Sequence, residues 1–491
     1  MKALSLIFWP VLLLALAAVT WLARPVQDPD FFWHLKVGEW LWQRGSWPIP
    51  DPFSFVTPLE LDARQLFIIK GYWLSQLLYF ASHAVLGWPG IYLLRLAVFA
   101  VFAGILWLRR REDPWLWGSV GLVCLALIFD LYPVERPQFF SFLCFAWLYL
   151  LLDGFWRGAT IPSRRHFWLV GIVMLLWGNL HGGFLLGQGL LLMTLALCLT
   201  NGFRRPGAAS DPLLWRLAVV GLAAGCLNPN IARIVPVFFQ TTQASDLMFA
   251  ANDEFVSVLS AWRGSLRPVA MAYGAFVVLA GLALLAGVRR HSLFALLCLA
   301  GTGVYAALTI RYLPFFLVAA LPVVVTGLTA ASWHRRLRGP VLAAAVILVA
   351  GLLWNERGNL ARIRAAGWVS NHDFPVEIAE QVAAAGVDGR LFNTYRWGGY
   401  LLWRLGPTRQ VFVDGRALDA EACRDALTAE MVSFGGGRLI WREIFDKYGI
   451  TYAILPLVEQ GGPYLLTQAV ARDSRWQVLS TSGNAVLLAR R

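Results

Sequence analysis

The chain has 491 residues, of which 58% are hydrophobic and 14% are charged, whereas about 25% are charged in an ordinary soluble protein. The formal net charge of +13 is typical of nucleic-acid-binding proteins, but the basic residues here form short clusters between apolar segments. That distribution follows the positive-inside rule of membrane proteins, and it argues against a nucleic-acid partner.

Apolar segments of bilayer-spanning length recur from the N-terminus to about residue 354. Because a helix of about 20 residues crosses the hydrocarbon core, they predict about eleven transmembrane helices. The predicted spans are 4–23, 90–108, 115–131, 138–154, 167–181, 183–200, 213–228, 269–287, 291–309, 312–330 and 340–354. No convincing cleavage site follows the first span, so we expect it to be retained in the bilayer and not removed as a signal peptide.

Arginine clusters predict the orientation of these spans. One cluster follows each even-numbered span: Arg109–Arg111, Arg157 with Arg164 and Arg165, Arg204 with Arg205 and Arg216, Arg289 with Arg290, and Arg335 with Arg336 and Arg338. A cytoplasmic N-terminus puts all five clusters inside. Residues 72–88 are apolar enough to count as another span, but counting them would move every later cluster outside. We therefore interpret this segment as an amphipathic or re-entrant helix of the first outer loop.

This topology predicts two domains. Residues 1–354 form the transmembrane domain, with outer loops at 24–89 and 229–268. From about residue 355 the composition becomes that of a soluble protein. Predicted strands at 411–413, 452–455, 476–480 and 485–488, with helices at 420–431 and 439–448, indicate a periplasmic α/β domain. The residues available for function therefore lie mostly on the outer side.

The first outer loop begins with an acidic motif. Asp28-Pro29-Asp30 precedes three aromatic residues and His34, directly after the first span. Two carboxylates and an imidazole at the membrane boundary can act as general bases or as metal ligands. An acidic helix N-cap with interfacial aromatic residues explains the same pattern.

Two arginines lie at the predicted outer ends of apolar spans. Arg311 and Arg136 are placed to bind a phosphate near headgroup level, because such charges are costly unless they are paired or functional. The alternative is that both side chains extend toward water, and for Arg136 the adjacent Glu135 is a further possible partner.

Four polar residues complete the candidates on the outer side. Asp51 lies in a proline-rich loop, where it can join the acidic pair or serve in a turn. His181 can hydrogen-bond a substrate or a neighbouring group. Glu254 can orient an acceptor or cap a helix. Asp414 follows a predicted strand, where an ion pair with Arg416 explains it as well as a functional role does.

Together these segments resemble the GT-C superfamily of integral membrane glycosyltransferases. The similarity is greatest to a group of uncharacterised bacterial polytopic membrane proteins with a DxDxxWHL motif after the first helix. The matching segments are 28–35 with Gly38, 50–55, 72–76, 136–138, 177–183, 228–229, 311–315, 397–400 and 413–416.

The resemblance implies an enzyme that moves a hexose or pentose from a polyprenyl-phosphate or pyrophosphate donor to a glycan, lipid or protein acceptor. It implies transfer on the periplasmic side of the bacterial inner membrane. Asp28 or Asp30 would be the general base, with a divalent Mg²⁺ or Mn²⁺ ion at these residues in some relatives. Arg311, with Arg136, would hold the leaving phosphate. His34 and His181 would be secondary substrate contacts.

Two other functions are compatible with a chain of this kind. A transporter or flippase predicts polar residues deep in the spans and inverted repeats, and the sequence has few of the former and no evident repeat. A non-catalytic partner in envelope glycan assembly would use the tail to bind other proteins and would tolerate Asn at positions 28 and 30.

Overall fold

A computed structural model describes residues 22–110, 113–132, 134–200, 212–234, 236, 255–264, 266–330, 334–385, 389–432, 434–435, 438–459 and 461–491. The first predicted span and Glu254 lie outside these residues, apart from residues 22 and 23 of the span.

Helices make up most of the described chain. In chain order they are α1 (Pro29–Arg44), α2 (Ala63–Lys70), α3 (Trp73–Leu86), α4 (Trp88–Leu108), α5 (Pro114–Leu131), α6 (Gln138–Trp156), α7 (Arg164–Leu180), α8 (Phe184–Leu199), α9 (Pro212–Cys226), α10 (Val258–Arg263), α11 (Arg267–Gly287), α12 (Leu293–Leu308), α13 (Leu313–Ala330), α14 (His334–Glu356), α15 (Asn359–Ala366), α16 (Val376–Ala385), α17 (Tyr395–Leu405), α18 (Ala420–Glu430), α19 (Ile440–Lys447) and α20 (Leu465–Ala471).

Each predicted span after the first coincides with a helix, from α4 to α9 and from α11 to α14. Within the described residues, six helices are long and apolar enough to cross a membrane, and α8, α9 and α12 are shorter apolar helices. The total of about eleven spans remains a prediction. The disputed segment 72–88 contains α3, which has 14 residues and is shorter than the roughly 20 that a bilayer requires.

The chain divides into two compact units that alternate along the sequence. The first, here called the helical unit, comprises Met1–Leu22, Tyr92–Ile231 and Phe249–Arg357. The second, here called the mixed unit, comprises Ala23–Ile91, Ala232–Met248 and Gly358–Arg491. Residues 24–89, predicted as an outer loop of the transmembrane domain, share this compact unit with the tail, and the predicted domain boundary at residue 354 stays a prediction.

Helix α13 is central to the helical unit. All its residues from Leu313 to Gly327 are buried, and it packs against α5, α6, α11 and α12. Its sequence is apolar on every side, which is expected of a helix surrounded by other helices. The Tyr149 hydroxyl of α6 donates a hydrogen bond to the Ala319 carbonyl at 3.0 Å.

A buried ion pair lies between α4 and the turn before α6. Arg95 Nη2 is 3.0 Å from Glu135 Oε1, and Arg95 Nε donates to Glu135 Oε2 at 3.2 Å. The two side chains are 1% and 3% exposed. A charge in an apolar helix is costly unless it is paired, so this pair allows α4 to carry an arginine. The sequence interpretation overlooked Arg95.

The mixed unit contains a four-stranded sheet in the order β1-β4-β8-β7. The strands of the unit are β1 (Arg390–Asn393), β2 (Phe434–Gly435), β3 (Arg438–Leu439), β4 (Ile450–Pro456), β5 (Val458–Glu459), β6 (Gly462–Pro463), β7 (Trp476–Ser482) and β8 (Ala485–Arg490). β1 and β4 are parallel, and β8 is antiparallel to β4 and β7. Buried aromatic residues, including Phe392, Trp441 and Phe445, form the core against the helices.

Most of the predicted tail elements are present, but the predicted strand at 411–413 is wrong. Val411 forms only an isolated parallel bridge with Ser54, in which its N–H donates to the Phe53 carbonyl at 2.9 Å. Val411, Phe412 and Val413 are apolar because they are buried, and burial alone does not distinguish a strand from an extended connection.

Candidate active site

Asp28 caps the first helix of the mixed unit. Its Oδ1 accepts a hydrogen bond from the Asp30 N–H at 2.9 Å, and Pro29 occupies the first turn of α1. The Asp28 side chain is buried, so most of its carboxylate lies away from solvent. A cap stabilises a helix by about 1 kcal/mol, and the structure therefore supports the capping interpretation for Asp28.

Asp30, in the first turn of α1, lies against the backbone of Gly415. A methyl group on Gly415 would overlap Asp30 Oδ1 and would lie 3.3 Å from Nε1 of Trp33. That indole nitrogen is buried and has no hydrogen-bond partner among the described residues. Asp30 is only partly buried, so its carboxylate combines a fixed position with access to solvent.

A second glycine brings the tail helix α17 against the same motif. A methyl group on Gly399 would overlap the Pro29 carbonyl oxygen, and one on Gly398 would overlap the Val413 carbonyl oxygen. Helix α17 therefore packs backbone to backbone against both the start of α1 and the 413–416 loop. The acidic motif is thus positioned by residues of the tail.

Asp51 forms a buried ion pair with Arg416. Arg416 Nη1 and Nη2 donate to the two Asp51 carboxylate oxygens at 2.9 and 3.0 Å, and Arg416 Nε donates to Asp414 Oδ1 at 2.8 Å. Burial alone lowers the pKa of Arg416, but Asp414 and Asp51 raise it above its ordinary value. Asp51 also accepts a hydrogen bond from the Thr57 hydroxyl at 2.7 Å. These contacts favour the turn interpretation of Asp51 and the ion-pair interpretation of Asp414.

His34 is buried on α1 beside α3. Its Nδ1 lies 3.3 Å from Gln76 Nε2, and its ring is 3.5 Å from the Trp33 ring, centroid to centroid. An amide nitrogen can only donate, so Nδ1 accepts this bond and a neutral His34 carries its proton on Nε2. Its predicted contact with substrate stays a prediction.

The acidic motif does not provide a complete set of metal ligands. No group of three or more His, Cys, Asp or Glu side chains that could hold a metal ion occurs within the described residues. Asp28 Oδ1 is also engaged in capping α1. The divalent ion at Asp28 and Asp30 therefore stays a prediction, and we derive no chemical step from it.

His181 lies in the turn between α7 and α8 of the helical unit. Its Nδ1 accepts from the Gly183 N–H at 2.9 Å and is 2.7 Å from the Ser141 hydroxyl oxygen. The Trp177 indole donates to that same oxygen at 2.7 Å, so the Ser141 hydroxyl donates to His181. Because Nδ1 accepts both bonds, a neutral His181 ring carries its proton on Nε2.

Arg136 and Arg311 occupy turns of the helical unit. The Arg136 carbonyl accepts a hydrogen bond from the Phe139 N–H at 3.1 Å, so Arg136 lies at the N-terminus of α6. Arg311 lies in a short 3-10 helix before α13, with its guanidinium 5.3 Å from the Phe255 ring centroid. Both carboxylate oxygens of Glu135, the partner suggested for Arg136, bind Arg95.

Gln138, the first residue of α6, was missed by the sequence interpretation. Its side chain is buried, and neither amide atom has a hydrogen-bond partner among the described residues. Leaving such a group unsatisfied costs about 1–3 kcal/mol. The segment 136–138 was noted for its arginine, but a sequence does not reveal whether an amide is paired.

We expect Gly415→Ala to lower activity strongly, because the added methyl group overlaps Asp30 Oδ1 and must displace the carboxylate. A displacement of about 1 Å costs on the order of 100-fold in rate. Turnover of the purified variant, compared with its thermal stability, measures the effect. Gly462→Ala is the matched control, since the nearest atom to its methyl group, the Glu459 carbonyl oxygen, is 3.9 Å away. Equal activity of the two variants would contradict the placement of Asp30.

No protein-family model matches this sequence, and a search of curated proteins gives no significant match. Solved structures, in contrast, match nearly the whole chain. Arabinofuranosyltransferase AftD from Mycobacteria matches with a TM-score of 0.56 and 14% identity, over 98% of this chain and 40% of its own. ArnT from Cupriavidus metallidurans matches with a TM-score of 0.55 and 15% identity, over 99% of this chain and 98% of its own.

An archaeal enzyme has the same architecture. Oligosaccharyltransferase AglB from Archaeoglobus fulgidus, solved with an inhibitory peptide and a dolichol-phosphate, matches with a TM-score of 0.53 and 10% identity, over 97% of this chain and 74% of its own. At these identities the likeness shows a shared fold alone, and the chain spans less than half the length of AftD.

Proposed function

We propose that this protein is a glycosyltransferase of the bacterial inner membrane. It transfers a sugar from a polyprenyl-phosphate or pyrophosphate donor to an acceptor on the periplasmic side. The proposal depends mainly on the position of Asp30, a carboxylate held at the start of α1 by the Gly415 backbone in a chain of GT-C fold. The AglB structure with dolichol-phosphate supports a donor of this class, since it records a GT-C relative with a polyprenyl phosphate.

In the proposed reaction Asp30 is the general base. Its carboxylate accepts the proton of an acceptor hydroxyl while the hydroxyl oxygen attacks the anomeric carbon of the donor sugar. The bond from that carbon to the phosphate oxygen breaks, and the electron pair leaves with the phosphate. Arg311 and Arg136 stabilise the charge that develops on the leaving group. Attack opposite the leaving group inverts the configuration of the sugar.

The other candidate residues have supporting roles. Asp28 keeps α1 capped, and the Asp51–Arg416–Asp414 ion pairs fix the loop that carries Gly415. His181, whose Nδ1 already accepts two hydrogen bonds, contributes its Nε2 proton as a hydrogen-bond donor.

The proposal is tested by sugar transfer with the purified full chain and labelled undecaprenyl phosphates that carry hexoses or pentoses. We expect wild-type protein to release sugar from at least one donor. Arg311→Met should lower kcat/KM by about 10²–10³-fold, because it removes a charged contact with the leaving phosphate. Arg336→Met, an exposed arginine in a predicted inner cluster, is the matched control and should keep its activity. Failure of the wild type to release any sugar would refute the proposed reaction.

A further inference from the structure

Gln138 combines deep burial with an unused hydrogen-bonding capacity. Its side chain is 3% exposed, and both Nε2 and Oε1 lack a hydrogen-bond partner within the described chain. Buried amides in folded proteins are normally paired, so a pair of unmatched atoms on one side chain indicates a place for a ligand. Nε2 donates and Oε1 accepts, and a ligand that satisfies both must offer an acceptor and a donor.

Ser141 is the nearest polar residue to Gln138 on α6. Ser141 is three residues further along and therefore on the same face, where it contacts His181 Nδ1 at 2.7 Å and accepts a hydrogen bond from the Trp177 indole. Gly183 also packs on this face, since a methyl group there would overlap the Ser141 hydroxyl. Gln138 and Ser141 thus form a short polar row at the start of α6, and Ser141 contacts the turn between α7 and α8.

This row is connected to the proposed phosphate ligands. The Tyr132 hydroxyl, in the turn that leads to Arg136, donates to the Ile310 carbonyl at 2.5 Å, and Arg311 is the next residue. The Arg311 charge also acts on His181. The amides at the N-terminus of the 19-residue helix α6 add a partial positive charge beside Gln138. Phosphate ligands and the unpaired amide therefore belong to one region of the helical unit.

We propose that Gln138 recognises the donor sugar at its bond to phosphate. In this proposal, which depends on the proposed function, Nε2 donates to a phosphate oxygen and Oε1 accepts from the sugar hydroxyl beside the anomeric carbon. A phosphate alone offers only acceptors and would leave Oε1 unpaired, and a lipid chain would satisfy neither atom. The ligand class is thus a phosphate-linked monosaccharide with a free hydroxyl next to its anomeric carbon.

Equilibrium binding to the detergent-solubilised full chain tests this proposal. The probes are bare undecaprenyl phosphate, undecaprenyl phosphates bearing glucose, mannose, galactose or arabinose, and the 2-deoxyglucose form. For Gln138→Leu we expect about tenfold weaker binding of the bare lipid, which loses one hydrogen bond. We expect about 100-fold weaker binding of the preferred sugar-bearing lipid, which loses two. The affinity for the 2-deoxyglucose lipid should fall only about tenfold in Gln138→Leu, because this lipid lacks the hydroxyl that Oε1 binds.

Gln188→Leu is the matched control. Gln188 lies on α8 of the same unit, its Nε2 donates to the Leu222 carbonyl at 3.2 Å, and its replacement should leave all affinities within about twofold. Gln138→Leu should unfold at or above the wild-type temperature, since it removes an unpaired buried amide.

Three results would overturn the proposal. The first is an equal loss of affinity for the bare lipid and the sugar-bearing lipids in Gln138→Leu. The second is that Gln138→Leu binds all of them as tightly as the wild type does. The third is that the wild type binds no sugar-bearing lipid more tightly than the bare one. Because this experiment measures equilibrium binding, its outcome does not depend on whether the protein turns the lipid over. Binding that depends on Gln138 without sugar transfer would refute the proposed reaction and leave this site in place.

Discussion

Asp30→Asn is expected to lower the rate of sugar transfer by about 10²–10⁴-fold while the protein remains folded. Asparagine has nearly the same shape as aspartate and still fits against Gly415, but its amide cannot accept a proton from the acceptor hydroxyl. The loss should appear in kcat more than in the binding of the donor, because the proton is transferred only during reaction. The rate of single-turnover sugar transfer from the preferred sugar-bearing undecaprenyl phosphate measures this loss.

Asp28→Asn is the control for this experiment. Asparagine is as good an N-cap as aspartate, so α1 should stay capped and activity should stay within a few-fold of wild type. If Asp28→Asn abolishes transfer and Asp30→Asn does not, the base has been assigned to the wrong carboxylate. If both variants keep full activity, neither carboxylate is the base, and a non-catalytic role in glycan assembly becomes the better explanation.

Arg416→Met should destabilise the mixed unit by about 3–5 kcal/mol, the range measured when one member of a buried ion pair is removed. The Arg416 side chain is 1% exposed, and those of Asp51 and Asp414 are 0% and 4% exposed. Methionine fills similar space but leaves two buried carboxylates without a cation. Amide hydrogen exchange in β1 and β4 of the full chain reports the free energy of opening.

Arg404→Met is the control for Arg416→Met, because it removes an arginine of the same unit whose ion pair is exposed to water. Arg404 pairs with Glu380 at 3.0 Å, but the two side chains are 35% and 56% exposed. Water screens such a pair, and the expected cost is below about 1 kcal/mol. Similar exchange in the two variants would mean that the Arg416 ion pairs contribute little to the stability of the unit.

The sequence was sufficient to place most helices and to select the acidic motif. Apolar segments of bilayer length mark α4 to α9 and α11 to α14 directly, because the length of the hydrocarbon core fixes the length of the helix. Asp28 and Asp30 stood out because carboxylates are rare next to an apolar span. The same pattern did not distinguish their roles, since a cap and a base require the same residue type.

What the sequence could not predict depends on contacts between distant segments. Gly415 and Asp30 are 385 residues apart in the sequence, and no local signal connects them. The ion pair of Asp51 with Arg416 was invisible for the same reason, although the turn at Asp51 and the pairing of Asp414 with Arg416 were both considered. Arg95 was missed because a single charge in a long apolar segment hardly changes its mean hydropathy.

The joining of the first loop to the tail in one unit has a consequence for biosynthesis. A ribosome makes α1 early, but Gly399 and Gly415, which contact Pro29 and Asp30, are translated only after α14. The proposed base thus acquires these neighbours after the helices of the helical unit have been made. Under the proposed function, a nascent chain that has made only its membrane helices is therefore expected to be inert toward lipid-linked sugars.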